Sequence, residues 1–82
     1  MHYRLKYDPG VEAVHDALPA EVSEQLSIAL AAACADPLNA TRAYNDIEDD
    51  VMRLIDTDHT RAVILLGHTF KTLTVLQISY LG

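Results

Sequence analysis

Basic residues are scarce in this sequence: six Lys and Arg stand against twelve Asp and Glu, which gives a net charge of −6. General binding to nucleic acids requires clustered Lys and Arg that neutralise phosphates, so the composition argues against that class of protein. The charge is uneven, because residues 1–60 hold all twelve acids while residues 61–82 hold Arg61, Lys71 and no acid. The C-terminal segment can therefore supply one local anion site.

Cysteine and long apolar segments are also scarce. Because Cys34 is the single cysteine, the chain cannot form an internal disulfide, and this is compatible with a reducing compartment. The apolar residues around Cys34 indicate that it is buried as a small hydrophobic residue rather than exposed as a reactive thiol. No apolar run is long enough to cross a bilayer, and the N-terminal MHYRLKYDP lacks the apolar core of a signal peptide. We therefore expect a soluble cytoplasmic protein with no membrane contact.

Hydrophobic residues, by contrast, make up half of the 82 residues, which is the composition of a packed globular protein. The chain is too short to enclose two cores, so residues 1–82 are predicted to form a single domain. Phe70 and four tyrosines are the only aromatic residues. The core must consist mainly of Leu, Val, Ile and Ala.

The N-terminal half is predicted to hold one strand and two helices. Residues 2–7 alternate, with Tyr3, Leu5 and Tyr7 on one side and His2, Arg4 and Lys6 on the other, as in a half-buried strand. Asp8 is then predicted to cap a short helix with Pro9 in its first position. A longer helix is predicted from Pro19 to the stop at Asp36-Pro37. One apolar stripe follows that helix: Val22, Leu26, Ala29, Leu30 and Ala33.

The C-terminal half is predicted to form three strands, at about 51–56, 60–67 and 71–79, with breaks short enough for hairpins. Residues 38–50 show no clear period and are predicted to be a connecting loop with room for one helical turn. The resulting order is β-α-α-β-β-β. It predicts an α+β fold in which two helices pack on one face of a twisted, four-stranded, mainly antiparallel sheet.

The strand at 60–67 is apolar on both faces. Ala62, Ile64 and Leu66 alternate with Val63 and Leu65, so both sides of the strand favour burial. Two helices cover only one face of the sheet. A tail, a second copy of the chain in a homodimer, or a partner protein is therefore predicted to cover the other face.

Four stretches of the chain together resemble the RelE/ParE superfamily of toxins from bacterial type II toxin–antitoxin systems. YDP at 7–9 is similar to the end of that family's first strand, and LPAEVSEQLSIALAAACADP at 18–37 is similar to its second helix. VMRLIDTDHTRAVILL at 51–66 resembles the family's hairpin in which an arginine begins the central strand. LTVLQI at 73–78 resembles its apolar last strand.

The resemblance implies an α+β fold, an antitoxin partner, and one of two activities. RelE-like members cleave mRNA on the ribosome, which is the first hypothesis here, with antitoxin, ribosome and mRNA as partners. ParE-like members inhibit DNA gyrase. The alternative hypothesis is therefore a ParE-like or non-catalytic protein, including a degenerate orphan member, that binds another protein through its apolar sheet face.

The resemblance also implies candidate site residues. Arg61 matches the arginine that begins the central strand, and Arg53 lies near the position of the family's lysines in the preceding strand. The family continues past its last strand into a basic segment that carries a tyrosine, whereas this sequence ends at QISYLG, in which Tyr80 is the candidate. Metal-free RNA cleavage needs an acid, a base and cations. Arg61 and Arg53 are the candidate cations, and His68 and Tyr80 are the candidate acid–base groups.

An alternative role for both arginines is structural, as strand residues paired with the nearby Asp56 and Asp58. The register of the hairpin decides whether Arg53 and Arg61 share a face, because a slip of one residue moves a side chain to the opposite side. The sequence leaves both registers open.

Two further motifs are predicted to bind no ligand. His59 and His68 lie nine positions apart, or roughly 30 Å along a continuous strand, which excludes a shared metal, so both are predicted to be exposed turn residues. NDIEDD at 45–50 lacks the glycine and the alternating spacing of a calcium-binding loop. We predict a solvated acidic loop there, and no metal or cofactor is expected.

Overall fold

Two helices cross one face of a mixed five-stranded sheet. The computed structural model describes residues 2–45 and 49–82. The elements in chain order are β1 (Arg4–Tyr7), α1 (Val11–Ala17), α2 (Ala20–Ala35), β2 (Arg42–Ala43), β3 (Met52–Asp56), β4 (Thr60–Gly67) and β5 (Thr72–Tyr80). The strand order in the sheet is β1-β5-β4-β3-β2, with β1 parallel to β5 and the other neighbours antiparallel.

This architecture confirms the predicted α+β fold and corrects its strand count from four to five. The additional strand, β2, lies within the segment that was predicted to be a loop, where Arg42 pairs with Leu54 and Ala43 pairs with Arg53. Two residues are too few to show an alternating pattern, so the pairing depends on contacts with β3 that local periodicity does not reveal.

The start of α1 also differs from the prediction. Gly10, not Asp8, is the N-cap, and its φ of 85° lies in the left-handed region that glycine adopts readily. The backbone N–H of Val11 donates to the carbonyl of Asp8 at 3.0 Å, so residues 8–11 form a tight turn before the helix. The longer helix begins after Pro19 and ends at Ala35, as predicted.

The core lies between α2 and the central strands. From α2 it takes Leu26, Leu30 and Ala33, which have almost no exposed surface. The sheet contributes alternate residues of its two central strands: Ala62, Ile64, Leu66, Leu73 and Val75. Burying these side chains supplies most of the free energy that opposes chain entropy. Cys34 is buried beside them, as predicted.

No helix of the described residues covers the opposite face of the sheet, which is called the open face below. On β4 it presents Arg61, Val63 and Leu65, which alternate with the buried residues of that strand. Leu65 keeps 38% of its surface exposed. What covers the open face stays a prediction. No helix among the described residues is long and apolar enough to cross a bilayer.

Candidate functional site

The open face gathers four of the six cationic side chains of the chain: Arg4, Lys6, Arg42 and Arg61. Strand registers place them there. Lys6 pairs with Thr74, which in turn pairs with the open-face residue Leu65, and Arg4 lies two residues before Lys6 on the same side of β1. All four cations are exposed.

A single strand carboxylate faces these cations. Asp56 pairs with Arg61 across the β3–β4 hairpin. Arg42 pairs with Leu54, and Leu54 lies two residues before Asp56 in β3, so the side chains of Arg42 and Asp56 lie on the same face of the sheet. The strand residues of the open face therefore carry four cations against one acid. The strand residues of the open face therefore have a net positive charge, on a chain whose net charge is −6.

Asp56 holds two of the cations side by side. Its carboxylate accepts hydrogen bonds from Arg42 Nε and, at 2.8 Å, from Arg61 Nε. The hydrogen bond from Arg42, followed by that from Arg61, lowers the pKa of Asp56 despite its partial desolvation. Within residues 2–45 and 49–82 the two guanidinium groups make no other hydrogen bond or ion pair. Their remaining N–H donors are thus directed to solvent and to any anion that approaches.

Arg53 has a different role from Arg61, because the hairpin register places it on the helix side of the sheet. It pairs with the buried Ile64 and is itself only 4% exposed. Its guanidinium donates from Nε to Thr41 Oγ1 at 3.0 Å and from the Nη atoms to the carbonyls of Leu38, Thr41 and Asp49 at 3.3, 2.9 and 3.0 Å. Through these hydrogen bonds, Arg53 holds the segments on either side of residues 46–48 against the sheet.

The remaining candidates lie away from Arg61. His68 is in the turn after β4, while Arg61 is near the start of that strand, about 23 Å away at 3.3 Å per residue. Tyr80 is at the same end of the sheet as Arg61 but pairs with the buried Thr60, which places it on the helix side. Among the contacts described for residues 2–45 and 49–82, none joins two of these four candidates, and their catalytic roles stay predictions.

The two turn histidines lie at opposite ends of β4, as the spacing requires. His59 Nδ1 lies 3.1 Å from the carbonyl of Gly82, and His68 contacts Tyr3 and the carbonyl of Asp50. Among the described residues no three His, Cys, Asp or Glu side chains come together as a metal site. Half of the NDIEDD stretch, residues 46–48, lies outside the described part of the chain.

Sequence reasoning missed the cluster of cations on the open face. The alternation over 2–7 did place Arg4 and Lys6 on a polar side, but it could not show that β1 forms an edge of the sheet and pairs with β5. The contribution of Arg42 has no local signal, because residues 38–50 show no clear period and predict a loop. A pairing of strands about 70 residues apart has no local signal.

No family model matches the sequence, and no curated protein matches it either. Solved structures do match, however. The isolated RelE toxin from E. coli superposes with a TM-score of 0.81 at 18% identity, over 98% of this chain and 85% of that one. The RelE–RelB complex from the archaeon Pyrococcus horikoshii gives a TM-score of 0.76 at 15% identity, over 100% and 98%.

A third match is the RelBE2 toxin–antitoxin complex from Mycobacterium tuberculosis, with a TM-score of 0.76 at 11% identity, over 98% of this chain and 99% of that one. Coverage of nearly the whole chain shows that this protein has the fold of RelE toxins. Identities of this size show the fold alone, because one fold can support several functions.

Proposed function

We propose that this chain is a RelE-like toxin of a bacterial type II toxin–antitoxin pair, which acts in the cytoplasm by cleaving mRNA on the ribosome. The observation that carries the proposal is the open face, where four exposed cations oppose one carboxylate on a chain of net charge −6. This face lies on a fold that matches isolated RelE over 98% of the chain.

Electrostatics supports a ribosome-dependent rather than an independent activity. Each cation that neutralises a phosphate of single-stranded RNA contributes through counterion release, and four contacts give only modest affinity at physiological salt. The acids on the rest of the surface repel RNA. An mRNA already held by the ribosome would be presented at a high effective concentration, which compensates for weak intrinsic binding.

The proposed partner is an antitoxin protein. Two of the structures similar to this chain are complexes of a RelE-type protein with its antitoxin, from M. tuberculosis and P. horikoshii. The exposed Leu65 beside Val63 offers apolar area on the open face in addition to charge. The test is co-expression with small open reading frames next to this gene: the cognate antitoxin should co-purify and should relieve toxicity.

A ribosome-plus-mRNA cleavage assay tests the proposed activity. The parent is expected to cut ribosome-bound mRNA, and Arg61→Ala is expected to reduce the rate by roughly 10²-fold, the order lost when one charge-stabilising donor is removed. Ala31→Glu is the matched control, because it makes the same change of net charge on the exposed side of α2. An intact mRNA after incubation with the parent would overturn the proposal.

The second candidate is a non-catalytic or ParE-like toxin that inhibits DNA gyrase. It is favoured by the separation of Arg61 from His68 and by the burial of Arg53, since a protein-binding surface requires no assembled acid and base. A gyrase supercoiling assay separates the two candidates. Inhibition of supercoiling without mRNA cleavage would favour the second.

A further inference from the structure

Two arginines of the open face are joined through one carboxylate. Asp56 Oδ2 accepts a hydrogen bond from Arg42 Nε, and Asp56 Oδ1 accepts one from Arg61 Nε at 2.8 Å. These residues lie on β2, β3 and β4, so their bridge crosses three neighbouring strands. Arg4 and Lys6, the other two cations of the open face, share no acid of this kind among the described residues. The two pairs of cations therefore differ in how firmly they are held.

The bridge leaves the outer part of each guanidinium open to a ligand. Asp56 uses the Nε donor of each arginine, so the Nη donors of both remain for other acceptors. The side chains of Arg42 and Arg61 are 53% and 50% exposed. Two arginines and one ionised aspartate leave an excess of one positive charge. A phosphodiester matches this arrangement, because it carries a single negative charge and presents one free oxygen to each guanidinium.

A cavity of about 220 Å³ lies beside the bridge and gives a ligand access to it. Its lining comes from the segment before β2 and from the open side of β2 and β3: Asn39, Ala40, Thr41, Arg42, Leu54 and Asp56. The volume is smaller than the roughly 300–1,000 Å³ of sites for drug-sized ligands. It therefore suits a phosphate with part of its ribose, and the rest of an RNA strand would lie on the open face outside the cavity.

Both arginines of the bridge project from backbone that is itself held in place. Arg61 belongs to β4, which pairs with β3 on one side and β5 on the other. Arg42 follows Thr41, whose hydroxyl and carbonyl oxygens accept hydrogen bonds from the buried Arg53 at 3.0 and 2.9 Å. Asp56 therefore fixes the far ends of two side chains whose starting points are already fixed.

We propose that Asp56 is a positioning residue that makes Arg42 and Arg61 a single clamp for one phosphate of single-stranded RNA. The assignment rests on the proposed function, in which RNA is the ligand. Asp56 does not bind the phosphate, since both groups are negatively charged, and it acts through the two arginines. Arg4 and Lys6 lie roughly 7 Å apart along β1, have no bridging acid, and bind separate phosphates.

Asp56 has two opposing effects on the affinity for RNA. Its charge repels the phosphate, but in water a unit charge about 4 Å away changes an affinity by only about fivefold, and salt reduces this further. Its hydrogen bonds immobilise two flexible side chains before RNA binds, and each side chain immobilised in advance adds about two- to tenfold in affinity. Two immobilised arginines outweigh one screened repulsion, so the net effect of Asp56 is to strengthen binding.

The first test measures binding of a fluorescent single-stranded RNA oligonucleotide at low salt, without ribosomes, by anisotropy. All variants are compared at a temperature where circular dichroism shows them to be folded. Asp56→Asn is expected to weaken binding by about fivefold, although it removes an acid from an acidic protein. Glu24→Gln makes the same change of charge on the exposed side of α2 and should not weaken binding. Asp56→Glu retains the carboxylate and should keep the affinity within about twofold of the parent.

The second test counts phosphates and needs no change at Asp56, so it decides the question even where Asp56→Asn fails to fold. Each phosphate of single-stranded nucleic acid that a protein neutralises contributes about 0.7 to the slope of log Kd against log salt. Arg42→Gln/Arg61→Gln is expected to reduce the slope by about 0.7 in total, because the two arginines share one phosphate. Arg4→Gln/Lys6→Gln removes two separate contacts and should reduce it by about 1.4.

Three results overturn the clamp. The first is a folded Asp56→Asn variant that binds RNA as tightly as the parent or more tightly. The second is a loss of about 1.4 in slope for Arg42→Gln/Arg61→Gln, which would show two separate phosphate contacts. The third is a parent that does not bind the oligonucleotide at low salt. A parent that binds as expected but leaves ribosome-bound mRNA intact contradicts the proposed function and leaves the clamp supported.

Discussion

Replacing Arg53 with methionine retains an apolar stem of similar length and removes a guanidinium that donates at least four hydrogen bonds. These bonds reach Thr41 Oγ1 and the carbonyls of Leu38, Thr41 and Asp49. Arg53 is 4% exposed, so the carbonyls lose their donor at a place where water cannot easily replace it. Arg53→Met is therefore expected to destabilise the whole fold.

The expected loss of folding stability in Arg53→Met follows from the number and burial of these hydrogen bonds. A hydrogen bond to a charged group contributes about 1.5–3 kcal/mol, and such contributions are not additive within one group. Each buried acceptor that is left without a donor costs about 1–3 kcal/mol, so the loss of several such bonds together is expected to cost about 3 kcal/mol or more. A domain of 82 residues has a free energy of unfolding of about 4–12 kcal/mol. Arg53→Met should remove a large part of this free energy of unfolding and lower the Tm by about 12 °C or more.

Urea denaturation followed by circular dichroism measures this loss, and Arg61→Met is the control. Arg61 is exposed and makes its one ion pair at the surface, so its replacement should cost at most about 1 kcal/mol while reducing any activity of the open face. An Arg53→Met variant within about 1 kcal/mol of the parent would refute the argument. So would an Arg61→Met variant that is as unstable as Arg53→Met.

Further predictions concern charge and burial. The two arginines beside Asp56 lower its pKa, so the ionised carboxylate stabilises the fold above the ordinary pKa of aspartate and this contribution is lost as the pH falls below about 4. In urea denaturation Asp56→Asn should be less stable than the parent at pH 7, and this difference in stability should shrink as the pH falls below about 4; a difference that does not change with pH contradicts this. Burial raises the pKa of the Cys34 thiol, so a thiol reagent should label it slowly in the native protein and rapidly in urea; fast native labelling would refute its burial. In RNA binding, Lys6→Gln should reduce the slope of log Kd against log salt by about 0.7, whereas Glu24→Gln should leave it unchanged; an unchanged slope for Lys6→Gln would remove that residue from the binding face.

The elements that could be predicted are those with long local patterns. The stripe of α2 repeats over 16 residues and lies between Pro19 and Asp36-Pro37, so both its bounds and its buried side follow from the sequence. The strand β4 contains the unbroken apolar run AVILL at 62–66, and its short flanking turns imply antiparallel neighbours. These elements determine the fold class.

The open face could not be predicted, because it depends on contacts between distant residues. β1 carries Arg4 and Lys6, but its parallel pairing with β5 joins residues separated by most of the chain. Arg42 reaches the face only because the two-residue strand β2 pairs with β3. The contact of Tyr3 with His68 spans 65 positions, and no local period or propensity encodes such a pair.

The most direct test of the central claim is growth after induced expression. The claim is that the protein is a toxin that acts through its open face. The parent and Ala31→Glu are expected to arrest growth, while the combined variant Arg4→Gln/Lys6→Gln/Arg61→Gln, at equal protein level, is expected to allow it. Continued growth with the parent, or arrest with the combined variant, would contradict the account.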